Sequence, residues 1–336
     1  MRKLKTSVKS LIIIILVIVT GIIAVALRNK FVSDTKASAH ESTSNNLVIT
    51  NDTYLTTAPY DPAVPSKEVR SGWQKKGSGK VFIDKEGKEV KEGVGETSDG
   101  KLYLVKNGKP ADPGMNLVDN NIFYVGDDGE ITRAVYGDKP MVALTFDDGP
   151  AKYTEEILDV LKEYNAKATF FINGEDVESY KNAVIREHNE GHVIGNHTQN
   201  HKTLTKLSVK DIREQLKQTD DIVYDLCGVK TKYLRPPGGA VDDKVKGAVN
   251  MPMINWSVDT RDWDHDNADK TLREVKKSTN DGSIVLMHDR MKSTAQAVKD
   301  IVPELLGRGF QLVTIEEMSL LRGGTEPGQV YFSFVP

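Results

Sequence analysis

Two adjacent acids close an apolar run at Thr145-Phe146-Asp147-Asp148-Gly149-Pro150, directly after Met141-Val142-Ala143-Leu144. A short apolar run ended by Gly-Pro reads as a buried strand stopping in a tight turn. Strand ends are where α/β folds bind ligands. Two ionised carboxylates side by side repel each other, so a metal ion or a basic side chain is expected nearby. His197 and His201, four residues apart in His197-Thr198-Gln199-Asn200-His201, come just past another strand end. On a helical turn that spacing points both imidazoles the same way. Two His and one carboxylate make a ligand set with open positions for water and substrate. One Asp is then a ligand, and the other is free to act as general base toward the activated water. A catalytic metal lowers water's pKa from about 15.7 to about 7, a change of about 12 kcal/mol that an Asp alone does not supply.

Three further strand ends carry unusual residues. Arg235-Pro236-Pro237-Gly238-Gly239 sets a charge before a rigid, then open, backbone. The arginine can hold the base carboxylate ionised, and a glycine N–H can approach an oxyanion. Asp259-Thr260-Arg261-Asp262-Trp263 places an acid beside a large aromatic. Ile284-Val285-Leu286-Met287-His288-Asp289 ends a buried strand in histidine, suited to general acid work with Asp262 as orienting partner. Each has a structural alternative: an arginine paired with a surface acid, a plain turn, a core tryptophan. Cys227 reads as a small core residue, His188 and His192 as structural, His265 as a residue of the cleft rim or none.

These residues need a scaffold that gathers strand ends. Strands are expected at 141–146, 168–172, 192–195, 231–235, 252–257, 283–287 and 311–314. Amphipathic helices are expected at 153–164, 177–190, 208–226, 268–279 and 294–307. Strand–helix alternation implies a mostly parallel sheet with helices outside. About seven β/α units in so short a stretch suggest an α/β fold of small-barrel type.

The motifs, in this order over residues 139 to 320, resemble the polysaccharide deacetylase family, with the NodB homology domain of carbohydrate esterase family 4. That resemblance implies a distorted (β/α)7 barrel. It implies Asp147 as general base, and Asp148, His197 and His201 as ligands of one divalent ion, Zn first, with Co, Ni or Fe also fitting. Arg235 then holds the base, and Asp262 tunes the acid His288. Trp263 walls the groove and Leu286 lines the acetyl pocket. The Gly238 N–H serves the oxyanion, where many members carry Tyr.

Ahead of this domain the chain changes character. Leu11 to Leu27 is an apolar run of 17 residues, the lower limit for a helix crossing a hydrocarbon core of roughly 30 Å. Arg2, Lys3, Lys5 and Lys9 precede it, so residues 1–30 read as a cytoplasmic tail and membrane anchor with the rest extracellular. Ala37-Ser38-Ala39 offers the alternative of signal cleavage and secretion. Residues 31–70 read as a flexible stalk. Residues 71–136 carry a 21-residue period: Gly72, Gly93, Gly114; Phe82, Tyr103, Tyr124; Gly87, Gly108, Gly129. This implies stacked β-hairpins resembling cell-wall-binding repeats, as wall ligand or as spacer. Only Trp73 stands after its glycine as an aromatic; Val94 and Met115 cannot wall a choline cage. The catalytic domain is then 137–322, with a tail at 323–336.

A net charge of −3 excludes a global basic field for nucleic acid. The expected partner is a polysaccharide, peptidoglycan or a chitin-like glycan, from which N-acetyl groups are hydrolysed. The alternatives are an O-acetyl esterase on xylan or wall polysaccharide, and a catalytically dead wall-binding protein.

Overall fold

The structure, a computed structural model, describes residues 70–336. The apolar run 11–27 and nearly all of the stalk lie outside the described residues. Among the described residues no helix is long and apolar enough to cross a membrane.

Residues 72–136 form three antiparallel sheets of three short strands each. The first holds β1 (Gly72–Lys76), β2 (Gly79–Ile83) and β3 (Glu89–Val90). The second holds β4 (Gly93–Glu96), β5 (Leu102–Lys106) and β6 (Lys109–Pro110). The third holds β7 (Gly114–Val118), β8 (Asn121–Val125) and β9 (Ile131–Tyr136). The period has a backbone cause. Gly72, Gly93 and Gly114 open the three sheets at φ 95°, 94° and 98°, a conformation that side chains resist. Trp73 and Tyr103 both pack on Phe82, at centroid distances of 5.2 and 5.1 Å.

The third sheet shares its core with the parallel sheet of residues 141–336. Ile122, Tyr124 and Val135 lie in one apolar cluster with Met141, Ala143, Phe171 and Ile254. The Tyr124 hydroxyl donates to Glu317 at 2.7 Å, and Arg133 pairs with the same carboxylate, which is 1% exposed. The boundary drawn at 136/137 therefore cuts through a continuous core.

The remaining strands pair in parallel: β10 (Met141–Gly149), β11 (Thr169–Ile172), β12 (Val193–Asn196), β13 (Met253–Ile254), β14 (Val258–Asp259), β15 (Ser283–His288), β16 (Gln311–Leu312) and β17 (Val330–Tyr331). The order is β12-β11-β10-β15-β14, with β16 beside the start of β10. Single-residue bridges continue this sheet. Leu234 links Asn196 to Met253, β17 lies along β13, and Ser333 bridges Ser283. Thus the strand expected at 231–235 shrinks to one residue, and that at 252–257 to two. Prolines 236, 237 and 252 flank them and lack the N–H a ladder needs.

The 323–336 segment is part of this sheet rather than an appendage. Phe334 donates its N–H to Gly282 at 2.9 Å and stacks on Tyr331. Gly282 is required there, since a Cβ would meet the Phe334 carbonyl oxygen at 2.2 Å.

Among the described residues there are eight helices: α1 (Thr154–Glu163), α2 (Lys181–Asn189), α3 (Val209–Cys227), α4 (Asp243–Ala248), α5 (Asp262–His265), α6 (Ala268–Ser278), α7 (Lys292–Gly307) and α8 (Ile315–Leu321). The helix expected at 177–190 is split, because a 3₁₀ segment, Gly174–Tyr180, precedes α2. Pleat alternation along β10 decides what faces where. Val142, Leu144 and Phe146 pack outward with Leu158 of α1 and Val298 of α7. Met141 and Ala143 face the interior cluster, so Thr145 and Asp147 do as well.

A chain beginning at Gly137 is expected to unfold at a much lower urea concentration than the 70–336 chain, or to aggregate on expression. The cut exposes the apolar cluster and leaves Glu317 buried without Arg133, a loss of about 3 kcal/mol or more. An unchanged urea midpoint would show the third sheet to be dispensable.

Candidate active site

The barrel interior is built around one buried cation. Arg235 has no solvent exposure. Its Nη1 donates to Asp147 Oδ1 and to Thr145 Oγ1, both at 2.7 Å. Nε donates to the Ile254 carbonyl at 2.9 Å and Nη2 to that of Asn255 at 3.0 Å. The guanidinium lies 4.2 Å from the centroid of the Phe171 ring. A buried charge this fully matched is held in one geometry, and Asp147 with it.

Asp148 parts from its neighbour through the backbone. Its φ of 65° is left-handed and sends its carboxylate away from Arg235. Behind the turn, Gly149 abuts Asp289, where a Cβ would meet the carboxylate at 2.2 Å. Burial pushes the Asp289 carboxyl up to about 7, against the hydrogen bond it accepts from Thr154.

His197 and His201 do meet, but not on a helix as their spacing suggested. They sit on a loop in which Thr198 (φ 73°) and His201 (φ 53°) are both left-handed. The His197 Nε2 lies 3.6 Å from Asp148 Oδ1, and the His201 Nε2 3.4 Å from the same oxygen. Ligand atoms of the three residues all lie within 4.8 Å of one another. His197 Nδ1 is 2.6 Å from the Arg235 carbonyl, which accepts its N–H as a hydrogen bond and so leaves the Nε2 lone pair facing the cleft. Burial pushes His197 below its ordinary pKa, toward the neutral form a ligand needs. Burial opposes charge on Asp148, but His197, His201, His288 and Arg290 outweigh it and hold the carboxyl below its usual range. Its Oδ1 is buried and accepts no hydrogen bond. Two imidazole nitrogens facing an orphaned carboxylate oxygen fit a divalent cation.

On the far wall, His288 Nδ1 lies 2.8 Å from Asp262 Oδ1. Asp262 is fully buried, and its Oδ2 accepts the His288 N–H at 2.7 Å and the Thr294 hydroxyl at 2.5 Å. Burial works against charge on His288, but Asp262, with Asp147 and Asp148 beyond, raises its pKa to about 9. Arg261, at φ 55°, kinks the chain so that Asp262 turns in while Trp263 stays 53% exposed.

A cleft of about 330 Å³ gathers Asp147, Asp148, His197, His201, Gly238, Trp263, Leu286 and His288. Arg235 and Asp262 stand behind it, buried. Trp256 and Asp259 also line the cleft, and nothing in their local sequence assigned either a role. Trp256 closes a run with strand character, which hid it among core residues. Thr294 carries no motif and Thr145 drew no role from its own, so only their partners, Asp262 and Arg235, mark them. His192 is structural: its Nδ1 accepts the Ala168 N–H at 3.1 Å, and burial pushes its pKa down to about 3. His265 faces the Thr260 carbonyl at 3.0 Å and does not line the cleft. Cys227 packs against the core, and burial raises its thiol pKa.

Residues 134–253 match the family model described as polysaccharide deacetylase. A peptidoglycan-N-acetylglucosamine deacetylase of Listeria monocytogenes is 42% identical over 178 residues, 53% of this chain but only 38% of that protein. A peptidoglycan-N-acetylglucosamine deacetylase of Bacillus cereus is 41% identical over 188 residues, 54% of this chain and 68% of that protein. Among solved structures, a family 4 acetyl xylan esterase from Clostridium thermocellum in complex with a cobalt ion superposes with a TM-score of 0.55 at 32% identity, covering 57% of this chain and 98% of the other. With the Bacillus protein matched over two thirds of its length at that identity, and the same fold in the esterase, the chain belongs to the polysaccharide deacetylase family.

Proposed function

We propose that this chain is a metal-dependent enzyme that removes N-acetyl groups from N-acetylglucosamine of peptidoglycan and releases acetate outside the cell. One observation carries the reading. Asp147 and His288 sit at paired positions on neighbouring strands, with the Asp148, His197 and His201 set beside them in one cleft. A base and an acid thus face a shared reaction volume from two sides.

Asp148, His197 and His201 would hold a divalent ion, zinc by first preference, which would supply Lewis acidity toward the acetyl carbonyl and toward water. Asp147 takes the proton of the attacking water. Arg235 engages its Oδ1, leaving Oδ2 on the cleft side. The water oxygen adds to the carbonyl carbon, and the Gly238 N–H supports the negative oxygen. Gly238 adopts φ 65°, which suits glycine at this bend of the loop. His288, held by Asp262 through Nδ1, gives a proton from Nε2 to the nitrogen as the C–N bond breaks. Leu286 lines the space for the acetyl methyl, and Trp263 offers a ring face to the sugar.

The cobalt-bound neighbour is an acetyl xylan esterase, so the second reading is an O-acetyl esterase acting through the same residues. Acetate release from N-acetylglucosamine oligomers, purified peptidoglycan and acetylated xylan separates the two. Release from xylan alone would overturn the amide reading. Peptidoglycan as substrate agrees with the anchor expected at 11–27 and with sheets β1–β9 as wall ligand or spacer.

His201→Ala is expected to lose acetate release by several orders of magnitude and to bind metal more weakly, with an unchanged circular dichroism spectrum because His201 is half exposed. A fully active, metal-free variant would end the proposal.

His288 sets the sign of the pH dependence. The charged imidazolium is the proton donor, and its pKa is raised, so activity should persist through neutral pH and fall as pH rises toward about 9. Asp262→Asn removes the carboxylate responsible and should move this alkaline limb to lower pH. A limb that stays in place would remove Asp262 from its tuning role.

A further inference from the structure

The cleft does not end at the His–Asp set. A second hollow of about 440 Å³ shares Asp148 and His201 with the first and continues to Lys152, Asn173, Tyr180 and Arg290. Its lining suits a sugar ring. Tyr180, 40% exposed, offers an aromatic face. Asn173 is buried, and its Oδ1 has no hydrogen-bond partner, so this acceptor awaits a donor such as a sugar hydroxyl or amide.

The hollow also carries cations without matched partners. Arg290 Nη1 stands 3.5 Å from Asp148 Oδ2, too far for a good hydrogen bond, and the guanidinium has no other ion pair among the described residues. Lys152 pairs with no carboxylate among the described residues and lies 5.3 Å from the centroid of the Tyr153 ring. Glu175 and Asp176 line the same hollow but reach neither cation, and are free to accept sugar hydroxyls. A neutral ring has no use for a guanidinium fork, whereas a carboxylate matches it.

We propose that this hollow seats the sugar next to the one deacetylated, and that Arg290 with Lys152 binds a carboxylate carried by that sugar. The enzyme then favours acidic wall glycan strands over neutral N-acetylglucosamine oligomers. The inference rests on the deacetylase reading and adds a selectivity to it. The carboxylate has two sources, the lactyl ether of the alternating wall sugar and the stem peptide attached there.

The test compares kcat/KM on three substrates: a neutral N-acetylglucosamine tetramer, wall glycan stripped of peptide, and wall glycan bearing peptide. In Arg290→Ala the acidic-to-neutral ratio is expected to fall about tenfold, the scale of one hydrogen-bonded charge pair. Arg290→Lys should restore part of it, and added salt should lower the ratio in the unaltered protein. Whichever acidic substrate shows the fall identifies the source. Lys152→Glu, at a residue without an ion pair, should lower the same ratio and keeps the test open if Arg290→Ala fails to fold. Equal losses on all three substrates, or an unchanged ratio in both variants, overturn the inference by reducing Arg290 to a support for Asp148. An unaltered chain that releases acetate from none of the three overturns the deacetylase reading, and this inference with it.

Discussion

A guanidinium without solvent must have its charge matched and its N–H groups received, and the interior of this protein is arranged to do both for Arg235. Its side chain takes Asp147, Thr145 and the carbonyls of Ile254 and Asn255. Its own carbonyl receives His197 Nδ1. One residue therefore orients the proposed base through its head and a proposed ligand through its backbone. Desolvating an isolated arginine costs far more than any single bond returns, so the geometry holds only as a complete set. That completeness is what holds Asp147 in one orientation in a dry interior, aimed at the cleft.

The weak strands make sense in this light. Around Arg235 the sheet is reduced to single-residue bridges at Leu234 and two-residue pairs at β13 and β17. Carbonyls at 254 and 255 that might have served a longer ladder serve the guanidinium instead. Prolines near these points limit ladder growth further. Closure is recovered from segments flanking the parallel strands: the 330–334 segment fills one gap, and the third antiparallel sheet covers the interior cluster through Ile122 and Val135.

Much of this was legible in the sequence, and for identifiable reasons. Long periodic helices such as α3 and α7, and apolar runs such as β10 and β15, announce themselves because burial on a fixed face imposes a fixed period. The chemical residues were legible because they cluster at or just past strand ends, at 147–148, 197–201 and 235–238 beside Gly or Pro. What stayed hidden depends on distant partners. Nothing local marks Thr294 as the donor to Asp262, Trp256 as cleft wall, or residues 323–336 as part of the sheet. The four-residue spacing of His197 and His201 suggested a helical turn, yet a loop with two left-handed residues brings the imidazoles together, since spacing constrains distance and not the path between.

The adjacent acids show how one backbone angle can divide two identical side chains. On a regular strand, residues 147 and 148 would face opposite sides of the sheet, and the second would be driven into the apolar layer beneath the helices. The φ of 65° at Asp148 prevents that by ending the alternation one residue after Asp147. Asp147 keeps the interior direction and meets Arg235; Asp148 swings to the rim and meets the imidazoles. The repulsion expected between neighbouring carboxylates is relieved because Arg235 engages Asp147 and His201 faces Asp148, while His197 Nε2 lies between them, 3.7 and 3.6 Å from an oxygen of each. Asp148 is among the residues the fold holds in a sparsely populated conformation, and Gly149 with Asp289 packed against it leaves the turn little freedom to relax. A strained, tightly backed turn at a strand end is therefore what lets the same residue type serve as base at one position and as ligand at the next.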